Sequence, residues 1–412
     1  MRDSAMLKGK LPVIAAVLFF LFLNVSSNNV SSNAYAFELS GYAAAQGAWF
    51  SSEPLYAEQE ENNWSLAAEP EFYQQWNNGG FTLKPFYRVD GADGERTHFD
   101  VREAMFLWYG DTWEIHVGVG KVFWGQTESQ HLVDIVNQTD LVDALDGEEK
   151  LGQPMANLTF IRGWGTLDLF VLPYFRERTF PGEKGRLRPP VAVDTDNAIY
   201  ESADEERHID YAARFGRTFG DLEVGLSYFS GTGREPTILY QVGAGGLTIV
   251  PYYEQITQTG IDLLFVAGGW LLKTEGIYRS GQGDDNYFAR TVGFEYTFSG
   301  VAFLGIGGID IGVIGEWLHD DRGSDATTAF ESDIMAGMRV AFNDAASTEA
   351  LLGVVQDLDE ETRIFTFESS RRLGESWKIS MEAFVVLEAA SDGPMYMVRN
   401  DDYVQLELFY YF

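Results

Sequence analysis

The last ten residues, Tyr403-Val404-Gln405-Leu406-Glu407-Leu408-Phe409-Tyr410-Tyr411-Phe412, constrain the fold more than any other stretch of the chain. Val404, Leu406, Leu408, Tyr410 and Phe412 fall on one side of an extended strand, and Tyr403, Gln405, Glu407, Phe409 and Tyr411 on the other. Successive strand side chains point to opposite faces, so one face here is apolar or aromatic throughout and the other is mixed. The same alternation recurs upstream. Ile209, Tyr211, Ala213 and Phe215 alternate with Asp210 and Arg214, and Leu222, Val224, Leu226 and Tyr228 with Glu223 and Ser227. Trp377, Ile379, Met381, Ala383, Val385 and Leu387 alternate with Lys378, Ser380 and Glu382, although Phe384 and Val386 interrupt the polar side. After residue 36 no run approaches the ~18 apolar residues that mark a membrane helix. The chain is therefore read as all-β, with an apolar face that a second sheet or a lipid phase must cover.

The other end of the chain says where it goes. Arg2, Lys8 and Lys10 precede an apolar run from Leu11 to Leu23, and Ala34-Tyr35-Ala36 supplies small residues at the two positions a signal peptidase reads. Basic, apolar and small-residue regions in that order form a secretory signal, and the run is too short to remain as an anchor. Cleavage is expected after Ala36, with residues 37–412 left as a single domain. A terminal Phe412 closing an alternating strand, behind such a signal, resembles the mark by which the barrel-assembly machinery recognises bacterial outer-membrane proteins. That resemblance implies a transmembrane antiparallel β-barrel in the outer membrane of a Gram-negative bacterium, in contact with membrane lipid and lipopolysaccharide. The 43 Gly, 10 Trp, 20 Tyr and 30 Phe suit tilted strands, tight turns and aromatic girdles.

Loop lengths give the strand number. Candidate strands run from 37–50 to 403–412, eighteen in all, with sixteen or twenty as the alternatives. Tight links fall at Asn77-Asn78-Gly79, Gly110-Asp111, Gly163-Trp164-Gly165 and Phe219-Gly220-Asp221, each after an even-numbered strand. Long links at 51–63, 124–155, 178–207, 232–254 and 390–402 follow odd-numbered ones. Short turns inside and long loops outside are what a barrel with both termini in the periplasm requires. The twenty-strand alternative arises from 232–254, where Thr237 to Val242 and Gly246 to Tyr252 could form one more hairpin.

The long loop at 124–155 is the richest candidate for function. It carries Glu128, Asp134, Asp140, Asp143, Asp146, Glu148 and Glu149 against Lys150. Arg214, Arg279, Arg339 and Lys378 fall on mixed strand faces, as candidate lumen-wall bases. If the loop folds into the lumen, its acids face wall bases across a pore constriction and set up a transverse field. The competing reading is an acidic loop solvated outside. In position and charge the inserted arrangement resembles general porins, a resemblance that also implies a homotrimer. Gly120-Lys121-Val122-Phe123-Trp124-Gly125-Gln126 with Asp134-Ile135-Val136-Asn137-Gln138-Thr139-Asp140 resembles a family of uncharacterised proteobacterial outer-membrane barrels and implies no substrate.

Composition removes several alternatives. With 62 acidic and 29 basic residues the net charge is −33, which makes nucleic acid an improbable partner. There is no cysteine, so disulfides and thiol chemistry are excluded. His98, His116, His131, His208 and His319 match no zinc-binding spacing, and no nucleophile or phosphate-loop motif occurs. No catalytic residue, metal or cofactor is expected. Acidic stretches at Asp90–Glu95 and Asp320–Asp325 are read as solvated external loops in preference to calcium sites. The expected function is passive diffusion of small hydrophilic solutes through a cation-preferring channel. A transport barrel for polymers or hydrophobic substrates, working with periplasmic partners, and an outer-membrane enzyme stand as the alternatives.

Overall fold

Eighteen strands, each hydrogen-bonded to its neighbours in sequence and the last to the first, close a single antiparallel barrel. The computed structural model describes residues 37–412 except 145–147, 244–245, 284, 304–305 and 329; the expected signal segment 1–36 lies outside the described residues. The barrel begins with β1 (Phe37–Phe50), β2 (Asn62–Trp76), β3 (Gly79–Asp90), β4 (His98–Tyr109), β5 (Trp113–Gly120) and β6 (Gln153–Arg162). It continues through β7 (Gly165–Leu172), β8 (Asp210–Phe219), β9 (Leu222–Thr232), β10 (Gln255–Ala267), β11 (Trp270–Ser280) and β12 (Tyr287–Phe303). It ends with β13 (Ile306–Asp320), β14 (Ser332–Ala341), β15 (Glu349–Asp357), β16 (Arg363–Leu373), β17 (Trp377–Glu388) and β18 (Tyr403–Tyr411). Closure sets Tyr42 opposite Tyr411 and Phe50 opposite Tyr403.

The alternation read from the sequence sorts the two faces. Outside, Trp49, Trp64, Leu66, Phe106, Trp108, Leu226, Phe294, Trp377 and Leu406 are all exposed. An apolar exterior of this extent belongs in hydrocarbon, and a closed barrel leaves no strand edge unpaired there. This is the architecture of an outer-membrane barrel. Inside, Gln46, Arg88, Arg102, Asp262, Glu275, Arg279 and Glu316 are buried polar groups.

The extra hairpin exists, and it is not part of the wall. Thr237–Gly243 pairs with Gly246–Tyr253, whose end runs parallel to Ile199–Tyr200, in a separate three-stranded sheet. Tyr253 packs its ring against Phe175 and Tyr200, with centroids 4.9 and 5.4 Å away. Its apolar side is therefore covered by the 173–209 loop, and eighteen is the strand number. The loop between β5 and β6 runs from 121 to 152 rather than 124 to 155. β5 stops at Gly120 because the Asn137 carboxamide donates to the Gly120 carbonyl and diverts the chain inward.

Candidate functional site

The loop 121–152 enters the lumen and is fastened at both walls. Its base is closed by one side chain. Asn137 accepts the Val122 N–H at 2.8 Å and donates to the carbonyls of Gly120 at 2.9 Å and Leu151 at 2.8 Å. Trp124, Val133, Ile135 and Val136 then pack on Met155, Phe170, Phe229, Ile256 and Ile277 from the wall. These residues form a dry apolar core inside one half of the barrel, between β6 and β11. The segments Gly120–Gln126 and Asp134–Asp140 thus hold the determinants of the loop's own fold. Replacing Asn137 with alanine removes all three bonds and leaves buried backbone groups unpaired, at about 1–3 kcal/mol each. Limited proteolysis should then cut the loop in the folded barrel where it spares the wild type.

The tip is held by wall carboxylates that accept from its backbone. Glu275 on β11 accepts the N–H groups of Gln126 at 2.6 Å, Thr127 at 3.0 Å and Val133 at 3.3 Å, and the Thr127 hydroxyl at 2.8 Å. Glu316 on β13 accepts the N–H groups of Glu128 and Ser129 at 2.7 and 2.9 Å. Gly125 makes this approach possible. A Cβ there would lie 2.9 Å from His131 Nδ1 and 3.1 Å from Glu275 Oε1, and its φ of +154° is one that L side chains rarely adopt.

The loop acids separate into anchors and exposed groups. Asp143 receives Arg88 Nε at 2.8 Å and Arg102 Nη2 at 2.7 Å, from β3 and β4. Asp140, fully buried, lies 2.9 Å from Arg102 Nη2 and accepts the Thr179 hydroxyl at 2.7 Å. Burial alone would raise the Asp140 pKa. His98, the Arg102 charge and Thr179 outweigh it and hold the carboxyl far below the ordinary range. Asp134 stands 3.4 Å from Lys150 Nζ, and burial pushes its carboxyl up against the pull of that lysine. Glu128 reaches Arg339 Nη2 at 2.7 Å and Lys273 Nζ at 3.5 Å. Glu149 forms a half-exposed pair with Lys121 at 3.1 Å, and Glu148 is exposed. Asp146 lies outside the described residues.

Of the wall bases named from the sequence, Arg339 therefore meets a loop acid directly. Arg279 bonds Gln258 at 2.8 Å and pairs with Glu235 of the 233–254 loop at 3.2 Å. Arg214 pairs with Asp262 on the wall itself at 2.7 Å, over Gly225, where a Cβ would lie 2.1 Å from the Asp262 carboxylate. Lys378 stands on the inner face of β17, opposite Arg372 in the β16 register. The sequence reading missed Arg88 and Arg102, which seat the loop. Their signal was two arginines at inward positions of β3 and β4, the two strands just before the one that leads into the loop.

The calcium alternative weakens at both acidic stretches. Asp90 pairs with Arg96 at 3.1 Å and caps the N–H groups of Ala92 and Asp93, while Asp320 pairs with Arg322 at 2.7 Å. Arg96 and Arg322 thus already neutralise Asp90 and Asp320.

No protein-family model matches the chain, and no curated protein matches its sequence. Among solved structures, the chain is similar to a loop-L8 deletion mutant of OmpT, an outer membrane protein of Vibrio cholerae. The identity is 9%, with 92% of this chain and 100% of that chain covered and a TM-score of 0.47. A triple mutant of Rh. blastica porin is similar at 11% identity, covering 92% of this chain and 100% of that one, with a TM-score of 0.44.

Proposed function

We propose that the barrel is a passive, cation-preferring channel for small hydrophilic solutes, and that its path runs off-centre. One observation carries this reading: the lumen loop packs against the wall from β6 to β11, while inward side chains of the opposite wall at β16 stay exposed. On that opposite wall Thr366, Glu368 and Arg372 face inward and are exposed, and Arg339 keeps 42% of its side chain accessible. Inward groups that stay wet inside a barrel line a water-filled passage.

The charge of that passage supports the preference. Glu69, Glu71, Glu349, Glu368, Glu382 and Glu407 outnumber Lys84, Arg88, Arg372 and Lys378 along the inner faces from β15 through β18 to β3. A narrow, low-dielectric passage lined by acids lowers the energy of a cation inside it and raises that of an anion. The loop's contribution comes from exposed Glu148 and half-exposed Glu149, with Glu128 at the edge of the passage. Asp140 and Asp143 serve as fasteners.

The test is reversal potential in a planar bilayer under a potassium chloride gradient. Replacing Glu69, Glu71 and Glu368 together by glutamine should cut the cation-to-anion permeability ratio severalfold at unchanged loop position. Anion preference in the wild type, or a ratio indifferent to these three substitutions, would overturn the off-centre acidic path.

A further inference from the structure

The segment 173–209 leaves the wall at the end of β7 and returns at β8, yet its middle is fastened on the far side of the mouth. Arg186 Nε donates to Asp401 Oδ1 at 2.6 Å, and the Leu187 N–H donates to Asp401 Oδ2 at 2.7 Å. Asp401 lies in the loop between β17 and β18, seven strand positions around the barrel from β7. The same guanidinium donates to the carbonyls of Asn400 at 2.7 Å and Ser52 at 3.3 Å, and lies 4.3 Å from the Phe50 ring centre. Between wall and latch the strap passes over other loops. Gly182 N–H donates to Asp93 at 2.9 Å, and the Gln59 carboxamide to the Gly185 carbonyl at 3.1 Å.

Three features mark this crossing as a fastening that can open. Leu187 sits at φ 56°, a conformation that a side chain disfavours and that its neighbouring contacts must hold. At the centre of the far-side contacts is one buried ion pair, so loss of either partner leaves the other charge uncompensated. Thr179 of the strap itself rests on Asp140, which ties the strap to the lumen loop.

We propose that residues 173–209 form an external gate strap, latched by Arg186 to Asp401, that roofs the mouth and limits flow through the channel. The proposal rests on the channel reading above. Polar segments of low local stability are the elements that move in gates and lids.

The chain has no cysteine, so strap position and current can be followed separately. Lys184 and Glu60 form an exposed pair at 2.9 Å between strap and rim. Cysteines in their places carry spin labels that report the strap's distance from the rim, or close a tether when oxidised. Asp401→Asn should lengthen that distance and raise mean conductance at least twofold, and oxidising the tether should restore the wild-type level. Arg186→Gln, which leaves Asp401 its Leu187 bond, should behave alike if Asp401→Asn fails to fold. A strap that moves while conductance stays constant overturns the gate and leaves the channel standing. A strap that stays seated in both variants overturns the latch. Silence from every variant, strap released or not, overturns the channel reading and the gate with it.

Discussion

Replacing Arg102 with alanine should unseat the lumen loop and open the barrel. Arg102 is 2% exposed and holds three groups at once: Asp143 at 2.7 Å, Asp140 at 2.9 Å and the Lys150 carbonyl at 2.8 Å. Its ring partner Phe86 lies 4.5 Å below the guanidinium. Removing the cation leaves buried Asp140 with His98 and Thr179 alone and Asp143 with Arg88 alone, and loss of one partner of a buried ion pair costs about 3–5 kcal/mol. The strand ladder does not depend on the pair, so the barrel should keep its heat-modifiable mobility on gels. Single-channel conductance should rise severalfold as the loop leaves the lumen. Unchanged conductance and unchanged proteolytic protection of 121–152 would show that the apolar contacts of Trp124 and Val136 suffice without the seat.

The same seat sets the response to acid. A carboxyl whose folded pKa is depressed stabilises the fold above its unfolded value, near ~3.9, and loses that contribution as pH falls through the folded value. The Asp140 carboxyl is held far below that point by His98, Arg102 and Thr179 against its burial. Its share of the seating is therefore retained between pH 7 and 4, and the loop should stay protected across that window.

At the tip, Glu275→Ala should have the second large effect. Four donors of Gln126, Thr127 and Val133 lose their acceptor, and hydrogen bonds to a charged group are worth about 1.5–3 kcal/mol each. Water can replace part of that, so a net loss of ~3 kcal/mol is expected, or roughly a hundredfold in the opening equilibrium. Amide exchange at Gln126, Thr127 and Val133 should accelerate by about that factor, while amides of β11 remain protected. Equal acceleration across β11 would mean that Glu275 supports the wall rather than the loop.

The barrel was legible because its signal repeats. A period of two marks each strand, and Gly-containing turns alternate with long loops; Phe37–Phe50 and Gln255–Ala267 begin and end where the pattern says. The hairpin at 237–253 shows where the signal fails. Its alternation equals that of a wall strand, and what removes it from the wall is contact with Phe175 and Tyr200, far away in sequence. The acids of the loop show a second limit. Composition reveals their charge, whereas the role of Asp143 as an anchor depends on the inward arginines it meets. Asp134-to-Asp140 was visible as a motif, but the three bonds of Asn137 that give it a purpose join residues up to seventeen positions apart.

The pairing of β1 with β18 carries a consequence for biogenesis. Its two partners stand at opposite ends of the barrel-forming segment, Tyr42 against Tyr411, so the seam is the contact of longest sequence separation in the wall. Joining ends so far apart is slow relative to forming neighbouring hairpins. The other pairings can be laid down in order from neighbour to neighbour, but the seam must wait for the last strand to arrive. A chain cut before Tyr403 has two bare edges and no way to satisfy their backbone groups in lipid. Synthesis halted a few residues early thus yields no smaller pore, only an open sheet with nowhere in the bilayer to stand.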